Sequence, residues 1–274
     1  MFGIDPTLLF SLLILGCFTG FLAGLLGIGG GMLMVPFMTM LFTAQGFALQ
    51  HVVHMAVATS LATILFTSIS SIRAHHARGA VRWDIVRWLA PLAFVGTVAG
   101  AQLASLVKTP WLALFFGLFV GYSALQMLSS KKIATNKTMP SHSVVLGVGG
   151  LIGFLSSLVG AGGGFITVPF LSSRNVPLQQ AVASSAAMGL PIAAGGLLGY
   201  IAAGIGVAGL PEGAWGYIYA PALFACAASS VLFAPLGAKQ AHSLPVSQLK
   251  KIFAYLLLSL AAYMLYKSYL TFQL

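Results

Sequence analysis

The chain has 274 residues, of which 59% are hydrophobic and only 6% are charged, and 13 Lys or Arg against three Asp or Glu give a net charge of +10. A soluble fold needs far more polar surface, since charged residues make up about 25% of an ordinary globular domain. The basic residues lie in short gaps between long apolar stretches, which is typical of membrane-protein loops and not of a nucleic-acid-binding domain. The composition therefore excludes the soluble classes and predicts an all-α polytopic membrane protein.

Apolar length divides the chain into ten helical segments, five in each half. We expect the first segment to remain as a membrane helix and not to be cleaved as a signal, because no basic residue precedes Leu8. The second segment of each half is too short to cross about 30 Å of hydrocarbon at 1.5 Å per residue, and it is expected to be a half-helix or a re-entrant piece. In chain order, the predicted segments are roughly 7–27, 31–43, 53–72, 85–106, 111–129, 143–160, 164–172, 180–205, 215–236 and 248–270.

Two glycine-rich motifs indicate that the chain is two copies of one unit. Residues 21–38 and 154–171 both contain Gly-Gly-Gly-x-x-x-Val-Pro-Phe, and they agree at ten of 18 positions. Residues 56–61 then match residues 181–186. Such self-similarity is the signature of a duplicated structural unit. The predicted divisions are a first membrane repeat over 1–130, a basic cytoplasmic linker over 131–142 and a second membrane repeat over 143–274.

The basic residues predict that the second repeat is inverted. An odd number of segments in each half makes the second copy enter the membrane from the opposite side. If the loop holding Arg73 and Arg78 is cytoplasmic, 11 of the 13 basic residues fall inside and only Lys108 and Lys267 fall outside. Cytoplasmic loops carry the excess of Lys and Arg, so this bias supports inverted-topology repeats. We therefore expect both termini on the outer side of the membrane.

The glycine runs are the candidate binding site. Three successive glycines would each cost about 1 kcal/mol inside a helix, so the helix breaks there. A break at membrane depth is tolerated only where protein or a water-filled cavity satisfies the backbone. The helix that resumes has free amides and a positive dipole end, which suit an anion. Close helix packing is the alternative, and a dinucleotide site is disfavoured because no strand precedes the glycines. The predicted substrate-binding glycines are Gly29, Gly30, Gly31, Gly162, Gly163 and Gly164.

Polar side chains near the breaks supply further candidates. The pairs Thr59-Ser60 and Ser184-Ser185 follow the two breaks, and their hydroxyls can donate to an anion without placing a charge in the membrane. The alternative for each is a bond to the carbonyl four residues earlier. For His75 and His76, the alternative is that they lie in a solvated cytoplasmic loop. The predicted substrate or proton path contains Gln50, His54, Gln179, Gln180, Thr97, Gln102, His75 and His76.

The sequence also lacks the patterns of an enzyme or a metalloprotein. No carboxylate lies deep in an apolar segment, and no Ser-His-Asp, metal-ligand or paired-carboxylate arrangement shares one face. We therefore predict no catalytic residues, no bound metal and no cofactor. The expected partners are a small anion and the lipid bilayer, and not nucleic acid. The sequence is also compatible with a homo-oligomer.

These motifs resemble the TauE/SafE sulfite exporter family, also called the toluene sulfonate uptake permease family, over nearly the whole chain. The resemblance rests on both Gly-Gly-Gly-x-x-x-Val-Pro runs, the two Ala-x-Ala-Thr/Ser-Ser stretches, the element from His75 to Gly79 and the closing helix from Leu249. It implies a secondary transporter that moves sulfite, sulfoacetate or another organosulfonate, or thiosulfate, across the bacterial inner membrane, and alternating access is the expected mechanism. An anion channel and a transporter of a small carboxylate are the alternatives. The two copies differ at Met34 and Thr167, so we expect their glycine tips to contact a ligand unequally.

Overall fold

The structure is a computed structural model that describes residues 5–26, 30–129, 138–240 and 246–273. These residues form ten helices and one two-stranded hairpin, and eight of these helices are long and apolar enough to cross a membrane. The predicted all-α polytopic architecture is therefore confirmed. The elements are α1 (Pro6–Leu26), α2 (Gly31–Ala44), α3 (Leu49–His76), α4 (Trp83–Leu106), α5 (Thr109–Leu128), α6 (His142–Val159), α7 (Gly164–Ser172), α8 (Leu178–Gly204), β1 (Ala214–Trp215), β2 (Ile218–Tyr219), α9 (Ala220–Gln240) and α10 (Val246–Phe272).

The second helix of each half is short, as predicted. Helix α2 has 14 residues and α7 has nine. At 1.5 Å per residue, α7 is about 14 Å long, roughly half of the hydrocarbon thickness. These two helices therefore end inside the depth that their eight longer neighbours can cross.

Two predicted segments had wrong boundaries. Helix α3 runs from Leu49 to His76, four residues beyond the prediction at each end, and near its carboxyl end the Nε2 of His75 lies 3.2 Å from a carbonyl oxygen of α1. The segment predicted as 215–236 begins with the hairpin instead, and α9 starts only at Ala220. Gly216 has φ +57°, which permits the tight turn between the two strands. An apolar run alone does not distinguish a buried strand from the start of a helix.

Helices of the two halves pack in matching pairs. Helix α1 packs on α9 and α6 packs on α4, while α3 and α8 lie side by side and α5 packs on α10. If each helix is replaced by its counterpart in the other half, so that α1 becomes α6 and α4 becomes α9, the α1–α9 pair becomes the α6–α4 pair. The pairs α3–α8 and α5–α10 are unchanged by the same exchange. The first two pairs approach closely at small residues: a Cβ atom at Gly24 would stand 1.9 Å from the carbonyl oxygen of Ala234, and one at Gly153 would stand 1.9 Å from that of Ala93. Helix α3 is the most buried of the eight long helices, and it packs on both α8 and α9.

Candidate functional site

Both predicted helix breaks are present where the chain is described. Helix α2 begins directly after Gly30, which has φ +69°, and α7 begins directly after Gly163, which has φ +76°. Both values lie in the left-handed region, which costs an L-residue roughly 1–2 kcal/mol. Gly29 lies outside the described residues. We call Gly30 and Gly31 the first tip, and Gly162–Gly164 the second tip.

The first tip packs in the interior against the turn between α6 and the second tip. A Cβ atom at Gly31 would stand 2.0 Å from the carbonyl oxygen of Gly160 and 2.9 Å from the Cα of Ala161. Gly160 also has a left-handed φ of +65° and ends α6, and Ala161 is fully buried. The backbone of the first tip thus lies against the turn that leads into the second tip. Glycine is required here because no side chain fits between the two backbones.

The helix starts at both tips keep free amide groups. The first intrahelical bonds run to the carbonyl oxygens of Gly30 and Gly163, from the amides of Leu33 and Met34 in α2 and of Ile166 and Thr167 in α7. The two amides that precede these donors in each helix have no intrahelical acceptor. Neither glycine can supply a side-chain cap. Within the described ranges, the tips therefore present N–H groups without an acceptor, together with the positive ends of two helix dipoles.

Two buried hydroxyl groups flank the second tip. Ser156 on α6 and Thr167 on α7 are both fully buried, and their oxygens have no hydrogen-bond partner within the described residues. The Oγ of Ser156 would be 3.2 Å from a Cβ atom at Gly163. An unsatisfied buried hydroxyl costs about 1–3 kcal/mol, so a bound acceptor or donor here would remove a real penalty. Sequence reasoning did not identify either hydroxyl as a ligand. Their repeat equivalents, Ala23 and Met34, are apolar, and this difference could have pointed to them.

A small cavity lies beside the second tip, between α3 and α8 and against α1. Its volume is about 10 Å³, room for roughly one water. It brings together two predicted residues, Gly162 and Ser185, with Ser68 and Ser71 of α3, which sequence reasoning did not identify. The Oγ of Ser71 is buried and hydrogen-bonds to nothing in the part of the chain that the structure describes. The candidate site is therefore the second tip, with hydroxyls on both sides of it.

Three hydroxyls of the predicted Thr/Ser pairs bind backbone groups of the opposite half. The Oγ1 of Thr59 accepts from the amide of Tyr219 at 3.0 Å, and the Oγ of Ser60 donates to the carbonyl of Gly160 at 2.8 Å. The Oγ of Ser184 accepts from the amide of Arg82 at 2.9 Å. Ser60 thus donates to the opposite half and not to the carbonyl four residues earlier in its own helix, whereas Thr59 and Ser184 accept in these bonds. Their contact with a ligand stays a prediction.

Three other predicted path residues join helices, and a fourth, Thr97, bonds within its own helix. The Nε2 of His54 lies 3.0 Å from the carbonyl oxygen of Ala104 in α4 and 2.9 Å from that of Val107, which follows α4. Its ring stacks on Tyr217 with ring centroids 5.3 Å apart. The carbonyl of Gln50 accepts from the hydroxyl at the start of α5. Thr97 donates to a carbonyl in its own helix at 2.7 Å, and the Nε2 of Gln102 donates to a carbonyl of α8 at 2.9 Å. None of these contacts involves a tip.

The remaining four lie at helix ends. The alternative of a solvated loop is wrong for His75, which is 1% exposed in the last turn of α3, with its Nε2 3.2 Å from a carbonyl oxygen of α1. His76 is exposed and accepts from the indole N–H of Trp83 at 3.1 Å. Gln179 is exposed and Gln180 is half-buried, both in the first turn of α8. Among the described side chains, no three of His, Cys, Asp or Glu are grouped to hold a metal ion.

Comparisons with known proteins agree with this architecture. The family described as "Sulfite exporter TauE/SafE" matches residues 12–264. A "Probable membrane transporter protein" of Haemophilus influenzae is 38% identical over 264 residues, which cover 95% of this chain and 99% of that protein. A protein named in the same way from Methanocaldococcus jannaschii is 32% identical over 70% of this chain and 72% of its own length. Another, from Bacillus subtilis, is 29% identical over 68% of this chain and 76% of its own length. No solved structure matches the chain.

Proposed function

Because the chain belongs to the TauE/SafE sulfite exporter family and is a multi-pass membrane transporter, we propose that it carries small sulfur-containing anions across the bacterial inner membrane by alternating access. The proposed substrates are sulfite, sulfoacetate or another organosulfonate, and thiosulfate. The observation that carries the proposal is the glycine-capped start of α7 beside unpartnered buried hydroxyls, with the first tip packed against the turn that leads into it.

The donors at the second tip suit an oxyanion. Sulfite and sulfonate groups present several acceptor oxygens, and each oxygen that leaves water needs a donor. Unpaired amides at the start of α7 and the hydroxyls of Ser156 and Thr167 supply such donors without a buried charge. A fixed cation would cost several kcal/mol at membrane depth and would hold the anion too tightly for release. Neutral donors therefore favour transport over retention.

Access to this site requires a change in conformation. The cavity beside the second tip has room for about one water, so a sulfite ion enters only when α3 and α8 separate. The bonds made by Thr59, Ser60 and Ser184 all join one half to the other. Rocking of one repeat against the other would break or shift these bonds, since they lie across the moving boundary. They are thus proposed to hold the closed state.

The inverted repeats and the orientation are part of the same proposal. The helix pairs that interchange when the halves are exchanged support two related units over residues 1–130 and 143–274, joined by the linker 131–142. The positive-inside bias supports cytoplasmic placement of the linker and external placement of both termini. Two units of opposite topology can exchange roles, which gives equivalent outward-open and inward-open states.

Counterflow in proteoliposomes tests the function. Vesicles loaded with unlabelled sulfite are diluted into labelled sulfite, and parallel samples use sulfoacetate and thiosulfate. A carrier accumulates label transiently above equilibrium, because unlabelled anion leaving the vesicle drives exchange, whereas a channel only dissipates the gradient. Absence of counterflow with all three anions, from protein that is folded and inserted, would reject the proposed substrates. Rapid equilibration without exchange would favour the anion channel.

A further inference from the structure

Two hydrogen bonds occupy equivalent places in the two halves. The amide of Tyr219, the residue directly before α9, donates to the Oγ1 of Thr59 in α3 at 3.0 Å. The amide of Arg82, the residue directly before α4, donates to the Oγ of Ser184 in α8 at 2.9 Å. Thr59 and Ser184 stand at the same position of the sequence repeat. We call the first bond the hairpin latch and the second the loop latch.

The donors of the two latches also correspond, as the packing of α9 and α4 shows. Gly20 of α1 and Gly153 of α6 are equivalent in the repeat. A Cβ atom at Gly20 would meet the carbonyl oxygen of Ser230 in α9, and one at Gly153 would meet that of Ala93 in α4. Ser230 and Ala93 each lie 11 residues after the amide donor of the latch in the same half. The repeat therefore sets the same backbone donor against the same hydroxyl twice, which an accidental contact would not do.

The latches lie toward opposite ends of the α3–α8 pair. These helices run antiparallel, because the Nε2 of His51 at the start of α3 lies 3.2 Å from the carbonyl oxygen of Ala208, just beyond the end of α8. The hairpin latch is the nearer of the two to this end. The small cavity lies between the latches, since its residues Ser68 and Ser185 each lie further from the start of their helix than the latched hydroxyl does. A path to this cavity along α3 and α8 therefore passes one latch at each end.

The two latches differ in their surroundings. The hairpin latch is buried, and the ring of Tyr219 packs edge-on against Phe42 and Phe47 with ring centroids 5.6 and 5.1 Å apart. The loop latch is only partly buried, and the side chain of Arg82 is 40% exposed beside its ion-pair partner Asp84. A backbone hydrogen bond that water can replace opens more readily than one whose donor would be left buried and unpaired. The loop latch is therefore the weaker of the two.

We propose that the two latches are the gates of the transport path, each closing one end of the α3–α8 pair, and that the loop latch opens more readily. This inference rests on the alternating access proposed above. Both bonds are formed in this structure, which is then the state closed at both ends. Thr59 and Ser184 are positioning residues in this role, because each holds the backbone that precedes a helix of the other half. The role does not require contact with the anion.

Labelling from each side of the membrane tests the two gates. The reporter is Ser68→Cys in an otherwise cysteine-free full chain, because the cavity has room for about one water and its thiol meets a membrane-impermeant maleimide only after one end opens. Spheroplasts expose one side of the membrane and inverted vesicles expose the other. Thr59→Val should raise the labelling rate about five- to tenfold from the hairpin side only, and Ser184→Ala should do so from the loop side only. Without either substitution, labelling should be faster from the loop side.

Matched variants separate a gate from a packing contact. Thr63→Val removes an equally buried hydroxyl one turn along α3, whose bond at 2.8 Å is to its own helix, so labelling should stay at the original rate. Thr59→Ser and Ser184→Thr keep the hydroxyl and should also leave the rate unchanged. Arg82→Gln keeps the amide and should do the same. Arg82→Pro removes the amide at a φ of −85°, close to that of proline, and should label like Ser184→Ala.

The proposal is overturned if Thr59→Val and Ser184→Ala raise labelling from the same side, from both sides equally or from neither. A lower unfolding midpoint with unchanged labelling would assign the two bonds to packing alone. Thr59→Ala and Arg82→Pro take the place of a variant that does not fold. Counterflow of sulfite is measured on the same proteins. Exchange with unchanged labelling in the variants rejects the gates and leaves the transport proposal standing, whereas sided labelling without exchange rejects the proposed substrate and leaves the gates standing.

Discussion

Removing the unpartnered hydroxyls beside the second tip should have opposite effects on stability and on binding. Ser156→Ala deletes one hydroxyl, and Thr167→Val replaces the other with a methyl group of similar shape. In the unliganded protein each hydroxyl is buried without a hydrogen-bond partner among the described residues. Removing it removes a desolvation penalty. If the same hydroxyl donates to the substrate, its removal also removes a bond that forms only in the complex.

The magnitudes follow from the two states. An unsatisfied buried polar group costs about 1–3 kcal/mol, so each variant should gain up to that amount of stability without ligand. A kcal/mol corresponds to roughly 2–4 °C in the unfolding midpoint of a protein of 150–250 residues. A hydrogen bond to a charged ligand contributes about 1.5–3 kcal/mol, so sulfite affinity should fall by about 10- to 150-fold. Because only a ligand that binds the folded state raises the midpoint, the stabilisation by sulfite should shrink accordingly.

The controls are hydroxyls that already have partners. Ser157 neighbours Ser156 on the same helix and is equally buried, but its Oγ donates to the carbonyl of Phe154 at 2.7 Å. Thr39 is a fully buried residue of α2 whose Oγ1 donates to the carbonyl of Val35 at 2.8 Å. Ser157→Ala and Thr39→Val should therefore leave stability unchanged or lowered, and sulfite affinity intact.

The assay is thermal unfolding of the four variants with and without sulfite, together with counterflow in proteoliposomes. Lower midpoints in Ser156→Ala and Thr167→Val, with sulfite stabilisation equal to that of the wild type, would contradict the reasoning. The hydroxyls would then be packing groups, and the anion would have to be sought at Ser68 and Ser71 instead.

Three further outcomes are expected. In a cysteine-free background, a cysteine at Lys239 should be labelled only from the cytoplasm and one at Glu212 only from outside; labelling of both from one side would contradict the inverted topology. Ser60→Ala leaves a buried carbonyl unpaired in the turn before the second tip and should lower stability by about 1–3 kcal/mol in thermal unfolding, with a loss of sulfite affinity as well only if the hydroxyl also meets the anion. Gly31→Ala should fail to yield stable protein, since its methyl would stand 2.0 Å from a backbone oxygen, whereas Gly147→Ala, with no atom within 4 Å, should melt like the wild type.

The glycines themselves are poor reporters of binding, contrary to what the sequence alone predicts. From the sequence, Gly30→Ala and Gly163→Ala should abolish transport with little loss of stability. The structure gives both residues a left-handed φ, and a Cβ atom at Gly163 would stand 2.7 Å from the side chains of Ile152 and Ile192. Both substitutions should therefore cost stability whatever the ligand does. Loss of transport in either variant would not distinguish a binding tip from a packed one.

The helices could be predicted because membrane spans are long apolar runs that end at glycine, proline or charge. The predicted start of a helix at Trp215 was wrong because the local pattern is ambiguous there: the apolar run forms a strand before the helix begins. The helix breaks were also predictable, since three glycines in a row are incompatible with a stable helix. The role of the hydroxyls was not predictable, because their partners are distant in the chain. Ser60 and the carbonyl that it binds, for example, are 100 residues apart. The same holds for Arg82 and Ser184, which only the fold brings into contact.

The two tips combine a symmetric frame with an asymmetric lining, and this combination suits a carrier. Matching helix pairs in the two halves allow either half to take the role of the other, which alternating access requires. A site built equally from both tips would duplicate the anion and bring two like charges together. In this chain Ser156 and Thr167 flank the second tip, whereas the residues equivalent to them in the first repeat are the apolar Ala23 and Met34. In the proposed mechanism, the repeat would supply the movement, and the departure from the repeat would place one anion at one tip. Ala23→Ser with Met34→Thr would copy the second lining onto the first, and we expect this double variant to bind a second sulfite more weakly than the first, because the two ions repel. Isothermal titration of sulfite measures the stoichiometry, and an unchanged single site would mean that the first tip lacks the geometry as well as the hydroxyls.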